Sequence, residues 1–259
     1  MHPQRRRGPA RVAARPGGVP SPFVTTRSRP LLLVALALGA VLVLGACSED
    51  PSVAADTTPS ATVTTRAWDD AAGVGVVVIG DSITGGHGLT TAEAWPARVA
   101  DQQGWSLTNL SCDGAGVAAL GDADDCASAY ATLVKRAVDL RPQVVIVQAS
   151  SNDLGLDTAE VRSATDRVVD DVHRRLPHAT LIGLSAIWDQ DPPPAQLAAI
   201  SKAMRTALRR EGGTYVDIGE PLRGHPTWMQ SDDVHPTVRG QQAIAAAVTA
   251  AFARDHVHF

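Results

Sequence analysis

The chain has 259 residues, 44% of them hydrophobic and 19% charged, an ordinary globular composition with room for one good-sized domain and extensions. Its formal net charge of -4 conceals an uneven distribution: seven of the 23 Lys and Arg fall in residues 1–46 with no acid beside them, so the remaining 16 face all 27 carboxylates. So acidic a body makes a poor nucleic-acid binder, because phosphate contacts need clustered Lys and Arg, and it counts against polyanionic substrates.

Residues 31–46, from Leu31 to Ala46, carry no charged or polar side chain. As a helix they would span roughly 24 Å at about 1.5 Å per residue. That is short of the ~30 Å hydrocarbon layer, so the run suits a secretory signal better than a permanent span. Arg5, Arg6, Arg7, Arg11, Arg15, Arg27 and Arg29 supply its positive flank. The run ends in Leu44-Gly45-Ala46-Cys47, which resembles the lipobox of bacterial lipoproteins. The resemblance implies a signal peptide over 1–46, cleavage before Cys47, and lipidation of that thiol, which would hold an exported protein at the membrane surface. An uncleaved signal anchor with an incidental cysteine is the alternative. Small polar residues and proline dominate 47–67 without apolar periodicity, which reads as a flexible tether. The folded domain is then 68–259.

Within it, Val76-Val77-Val78-Ile79 reads as a buried strand, and Ala92 to Gln103 as a helix stopped by Gly104. Trp105 to Leu110 is a second strand, ending in the glycine-rich stretch Ser111-Cys112-Asp113-Gly114-Ala115-Gly116. The pattern predicts a helix over Ala123 to Leu140, a third strand at Val144–Val147, and a polar turn from Gln148 to Asp153. A helix over Thr158 to Leu176, a strand over Thr180 to Ile187 and a helix over Pro194 to Arg210 follow. A short strand at Thr214–Ile218 and a helix over Val238 to Ala253 close the chain. Apolar strands alternating with helices predict a five-stranded parallel sheet covered on both faces, a three-layer α/β/α sandwich. The turns after the first three strands should open on one rim, where such sheets bind ligands.

Chemistry collects on that rim. Ser82 stands where the first strand ends in Gly80-Asp81-Ser82, and is read either as a nucleophile or as a capping serine in a βα turn. Asp232 precedes His235 by three residues, a spacing that lets a carboxylate hold Nδ1–H and free Nε2 to take a serine proton. Asp233 is the poorer orienter by spacing and reads as solvent-facing or capping. The other seven histidines, His87 among them, have no such company in the sequence.

Four segments together resemble the SGNH/GDSL hydrolase family: Gly80-Asp81-Ser82-Ile83-Thr84 with Trp95-Pro96 downstream, Asn109 to Gly116, Ser150-Ser151-Asn152-Asp153, and Asp232-Asp233-Val234-His235. They occur in family order and span nearly all of 68–259. The resemblance implies the flavodoxin-like hydrolase fold and a serine esterase or lipase with Ser82 as nucleophile, His235 as base and Asp232 as orienter. It also implies an oxyanion hole made of the Ser82 and Gly114 amides and the Asn152 side chain. No cofactor and no metal are expected. Ser150 departs from the family's glycine and is expected to narrow the site or place a hydroxyl near the leaving group.

Cys112 and Cys126 cannot complete a zinc site by themselves, and in an exported domain they read as a disulfide that stiffens the loop presenting Gly114. The expected substrate is a small-molecule, glycan or lipid ester met outside the cell. An O-acetyl esterase or acyltransferase on cell-wall glycan is the nearest alternative, and a non-catalytic surface binding protein is the most distant one. Five Trp, two Tyr and three Phe are too few for a long sugar-stacking platform, which leaves Trp188 and Trp228 as candidates for lining a pocket. The partners expected are the ester substrate and the membrane, with the protein itself a monomer.

Overall fold

The structure is a computed structural model that describes residues 73–258. The signal segment, Cys47 and the tether expected from the sequence lie outside these residues.

Five strands form one all-parallel sheet: β1 (Gly75–Gly80), β2 (Ser106–Ser111), β3 (Val144–Gln148), β4 (Thr180–Leu184) and β5 (Thr214–Val216), in the order β2-β1-β3-β4-β5. The most apolar runs occupy the middle, where both faces are covered: every residue of β1 and of β3 is buried. Val76 pairs with Leu107 of β2 on one side and Val144 of β3 on the other. Alternate residues then feed opposite cores. Val77, Ile79, Val145 and Val147 pack under α3 (Tyr130–Leu140), α4 (Thr158–Arg175) and α5 (Ala195–Arg210). Val76, Val78, Val144 and Ile146 pack under α2 (Trp95–Gln103) and α6 (Val238–Arg254). This is the expected three-layer sandwich.

Helix ends follow local chemistry. α2 has Pro96 in its first turn and closes on Gly104 at φ 69°, a left-handed conformation that costs glycine little. α4 starts at Asp157, whose carboxyl accepts the Ala159 and Glu160 amides, and ends in His173, Arg174 and Arg175 beside its carbonyl terminus.

Four boundaries differ from expectation by two residues or more, the first being the helix expected from Ala92, which begins at Trp95. The helix predicted from Ala123 begins only at Tyr130. The Asp122 carbonyl collects the amides of Asp125, Cys126 and Ala127 into a tight turn, and Cys126 is bonded to Cys112, so the alanine-rich stretch is drawn back toward β2 instead of extending as helix. β4 stops at Leu184 rather than Ile187, and β5 at Val216 rather than Ile218. There the Ser185 hydroxyl accepts the Ile218 amide in place of a ladder partner, and the chains part.

Because all strands run one way, Gly80, Ser111 and Gln148 end at the same edge, on neighbouring strands. The turns after them face one another there.

Candidate active site

The first turn is built inward. Past Gly80, Asp81 caps the four-residue helix α1 (Ser82–Gly85), its Oδ1 accepting the amides of Ile83 (3.1 Å) and Thr84 (3.3 Å). Asp81 is buried, and that burial raises its carboxyl above the usual carboxylate range against the opposing pull of hydrogen bonds from Ser150, Thr84 and Ile83. Ser82 opens α1 and is 7% exposed. Buried Gln241 of α6 ties this turn across the molecule, donating to the Ile83 carbonyl (2.9 Å) and accepting the Trp95 amide (2.8 Å). From β2, Asn109 donates to the Thr84 carbonyl at 2.8 Å.

Ser150 is held internally. Its hydroxyl lies 2.7 Å from Asp81 Oδ2 and 3.0 Å from the Ala115 carbonyl, and the residue is fully buried. One hydroxyl proton serves one of these acceptors at a time, while the oxygen itself accepts the Asn152 amide at 3.1 Å. The serine at the family's glycine position is therefore an internal strut between two turns, its hydroxyl committed to the Asp81 carboxyl and the Ala115 carbonyl.

The second partner arrives from 153 residues away. His235 Nε2 lies 3.0 Å from Ser82 Oγ, and His235 Nδ1 lies 2.7 Å from Asp232 Oδ2. Asp232 Oδ1 accepts the amides of both Val234 and His235 at 3.0 Å, so one side chain shapes the loop and fixes the ring. The His235 amide, then its ring, then the Val234 amide hold the Asp232 carboxyl well below the ordinary carboxylate value. Asp233 is exposed at φ 57° and completes the turn, as its spacing suggested. Gln230 braces the loop from beneath: its amide donates to the His235 carbonyl (2.7 Å) and its side chain to the Pro236 carbonyl (3.0 Å).

Gly114 and Asn152 sit on the turns after β2 and β3, beside Ser82 after β1. Gly114 adopts φ 72°, and a Cβ there would lie 2.6 Å from Asp122 Oδ1, so only glycine fits. Asn152 Nδ2 donates to the Ala115 carbonyl at 3.0 Å, which uses one of its two N–H groups and ties it to the Gly114 loop. Buried Asp153 pins the same loop, accepting the amides of Val117 (3.0 Å), Ala118 (2.9 Å) and Ala119 (2.9 Å). Among the described residues, no acceptor within the chain takes the amides of Ser82 or Gly114. The Cys112–Cys126 disulfide, with its Cα atoms 5.9 Å apart, closes the segment that carries Gly114. Asp125 lies beside these two cysteines, but both sulfurs are committed to the bond.

Sequence reasoning passed over His87. Its ring is stacked on His235, with centroids 4.1 Å apart, and its Nδ1 is hydrogen-bonded to Asp113. The only local signal was its place between two glycines just after the Ser82 turn, while the ring it touches is 148 positions away. The two tryptophans expected near a pocket have these neighbours. Trp228 is stacked on His225 (3.6 Å) with the Arg239 guanidinium 5.4 Å from its ring centre, and half-buried Trp188 packs against the core.

The family model for GDSL-like lipases and acylhydrolases matches residues 78–243, which include all four motif segments. The chain is similar to the GDSL lipase Rv0518 of Mycobacterium tuberculosis, 29% identical over 182 residues, 66% of this chain and 78% of that one. It is also similar to the esterase TesA of Pseudomonas aeruginosa, 25% identical over 177 residues, 64% of this chain and 81% of that one. A crystal structure of TesA shares the fold, with a TM-score of 0.53, 22% identity, and coverage of 68% of this chain and 97% of the other. So does a family two carbohydrate esterase from Clostridium thermocellum in complex with cellohexaose, with a TM-score of 0.54, 18% identity, and coverage of 70% of this chain and 64% of the other. The chain belongs to the GDSL-like lipase/acylhydrolase family and is an ester hydrolase of the SGNH type.

Proposed function

We propose that Ser82 is the nucleophile of an esterase that acts outside the cell from a lipid anchor at Cys47. The observation that carries the catalytic part is the unbroken chain from Ser82 Oγ through His235 to Asp232, at 3.0 Å and 2.7 Å. In this reading His235 Nε2 takes the Ser82 proton as Oγ attacks the ester carbonyl. The same nitrogen then returns the proton to the departing alkoxide, leaving an acyl-serine. Water enters with His235 again as base, and release of the acid regenerates Ser82. Asp232 holds Nδ1–H and stabilises the imidazolium in each half-reaction.

The tetrahedral oxyanion would be received by the Ser82 and Gly114 amides, which have no acceptor among the described residues, and by the second N–H of Asn152. Asparagine suits that position because it donates, whereas a carboxylate there would repel the developing charge. Each such donor contributes about 3–4 kcal/mol of transition-state stabilisation in sites of this kind.

Export and anchoring rest on the arginine-flanked apolar run and the Leu44-Gly45-Ala46-Cys47 sequence. They direct the search for substrate to small-molecule, glycan or lipid esters at the cell surface. Hydrolysis of p-nitrophenyl acetate, butyrate and octanoate, with Ser82→Ala as control, tests the chemistry. Loss of turnover and of fluorophosphonate labelling in that variant supports it, and failure of the wild-type protein to be labelled at Ser82 overturns it. Preference for acetyl over octanoyl favours a glycan O-deacetylase over a lipase. Detergent-phase partitioning that survives Cys47→Ser would remove the lipid anchor from the proposal.

A further inference from the structure

The His87–Asp113 pair repeats, one ring away, the histidine–carboxylate pairing of His235 with Asp232. Four contacts place His87 at a junction. Its amide donates to the Ser82 carbonyl at 2.9 Å, so its backbone is fixed by the nucleophile turn. Its carbonyl accepts the Gln230 side chain at 2.7 Å, the same side chain that braces the His235 loop. Its Nδ1 is hydrogen-bonded to Asp113, the residue immediately before Gly114. Its ring lies against His235 at 4.1 Å between centroids and 28° between planes.

The His235 loop needs such a support. Ser231 to Val234 are exposed, and Asp232, with 44% of its side chain accessible, restrains the imidazole only along its Nδ1 edge. The two in-plane hydrogen bonds, at Nδ1 and at Nε2, resist tilting of the ring out of its plane only weakly, and such tilting moves Nε2 relative to Ser82 Oγ. A flat ring stacked on one face and itself tethered by a carboxylate opposes that tilting.

Resting on the Ser82–His235 reading above, we propose that His87 is a positioning residue for the hydrolysis. Held by Asp113, it clamps the face of His235 and keeps Nε2 in line with Ser82 Oγ. It takes no proton from the substrate and forms no bond to it. Its effect belongs to acceleration of the chemical steps rather than to substrate binding, and it links the oxyanion-loop residue Asp113 to the ring of the base.

The test compares His87→Ala, His87→Phe, Asp113→Ala and the His87→Ala/Asp113→Ala double variant on p-nitrophenyl acetate, with thermal midpoints and rates of fluorophosphonate labelling of Ser82. For His87→Ala the expected result is a fall in kcat of roughly 10- to 100-fold, the scale of a misplacement of about 1 Å. KM and the thermal midpoint should stay unchanged, and labelling of Ser82 should slow in parallel. His87→Phe restores a flat ring and should recover most of kcat. Asp113→Ala should fall between, and the double variant should be no worse than His87→Ala because the two side chains act as one unit. A wild-type kcat in His87→Ala overturns the proposal, and so does a rise in KM at unchanged kcat, which would put His87 against substrate instead. A kcat loss that tracks a fallen thermal midpoint and is not recovered by Phe overturns it as well, leaving a structural role. Ser82 that is labelled in the wild type and equally fast in His87→Ala defeats this inference alone. Ser82 unlabelled in the wild type defeats the catalytic reading beneath it.

Discussion

The turn at Ser82 and the loop at His235 meet across 3.0 Å, yet they are held by opposite means. The Ser82 turn is interior. Asp81, Ser82, Thr84, Ser150 and Asp153 are all buried, and their polar groups pair with residues from the ends of β1, β2 and β3. The His235 loop is a surface feature whose shape comes from one exposed carboxyl folding back on its own chain and from Gln230 beneath it. Ser82 thus inherits its position from the sheet. His235 is placed by short-range hydrogen bonding on a loop between Met229 and α6, and a side chain that follows the Ser82 turn, His87, covers its ring. Charge follows the same division: burial raises the Asp81 carboxyl, whereas hydrogen bonds at the surface lower that of Asp232.

This contrast can be broken from either side. If His235 is the base proposed above, His235→Ala on its exposed loop is expected to reduce kcat by about 10,000-fold while the thermal midpoint stays at the wild-type value. A large loss of stability would mean that the loop is part of the core after all. On the opposite side, Asn152→Ala should lower kcat by about 100- to 1,000-fold with KM little changed, as for loss of an oxyanion donor. It should also cost roughly 1 kcal/mol of stability from the lost bond to Ala115. Asp153→Ala reverses the balance: three loop amides lose their acceptor, and equilibrium urea unfolding should show a loss of about 3 kcal/mol. Activity in that variant should fall through the displaced Gly114 loop and not through the ring of His235.

The smallest effect is in the pH dependence of stability. The folded value of Asp232 lies below its ordinary 3.8, so its stabilising bonds are fully present above that pH and are lost as pH falls through the lower folded value. The thermal midpoints of wild type and Asp232→Asn should therefore remain apart down to about pH 4, and converge only in stronger acid. Convergence at pH 5–6 would mean that the carboxyl is not held in the folded state as its hydrogen bonds indicate.

Local pattern was sufficient for much of this molecule. Val76–Ile79 and Val144–Val147 could only be strands covered on both faces, because four consecutive β-branched apolar residues leave no solvent side to either helix or edge strand. The alternation of such runs with amphipathic helices implied the parallel sheet, and with it the single edge on which Ser82, Gly114 and Asn152 gather. Asp232 and His235 were legible as a pair because their contact spans three residues.

Tertiary structure decided what depends on distant partners. The stretch from Ala123 has the alanine content of a helix, but the turn at Asp122 and the bond from Cys126 to Cys112 outweigh so weak a local preference. Ser150 looked like an addition to the site, and its direction was settled by a buried carboxyl 69 positions earlier. His87 looked like any other surface histidine until the fold brought it against His235. A residue's type and its near neighbours set which bonds it can make, but which of them forms depends on what the folded chain packs beside it. Strand, helix and the Asp232–His235 pair could therefore be read directly from residues 73–258, whereas the strut at Ser150 and the clamp at His87 could not.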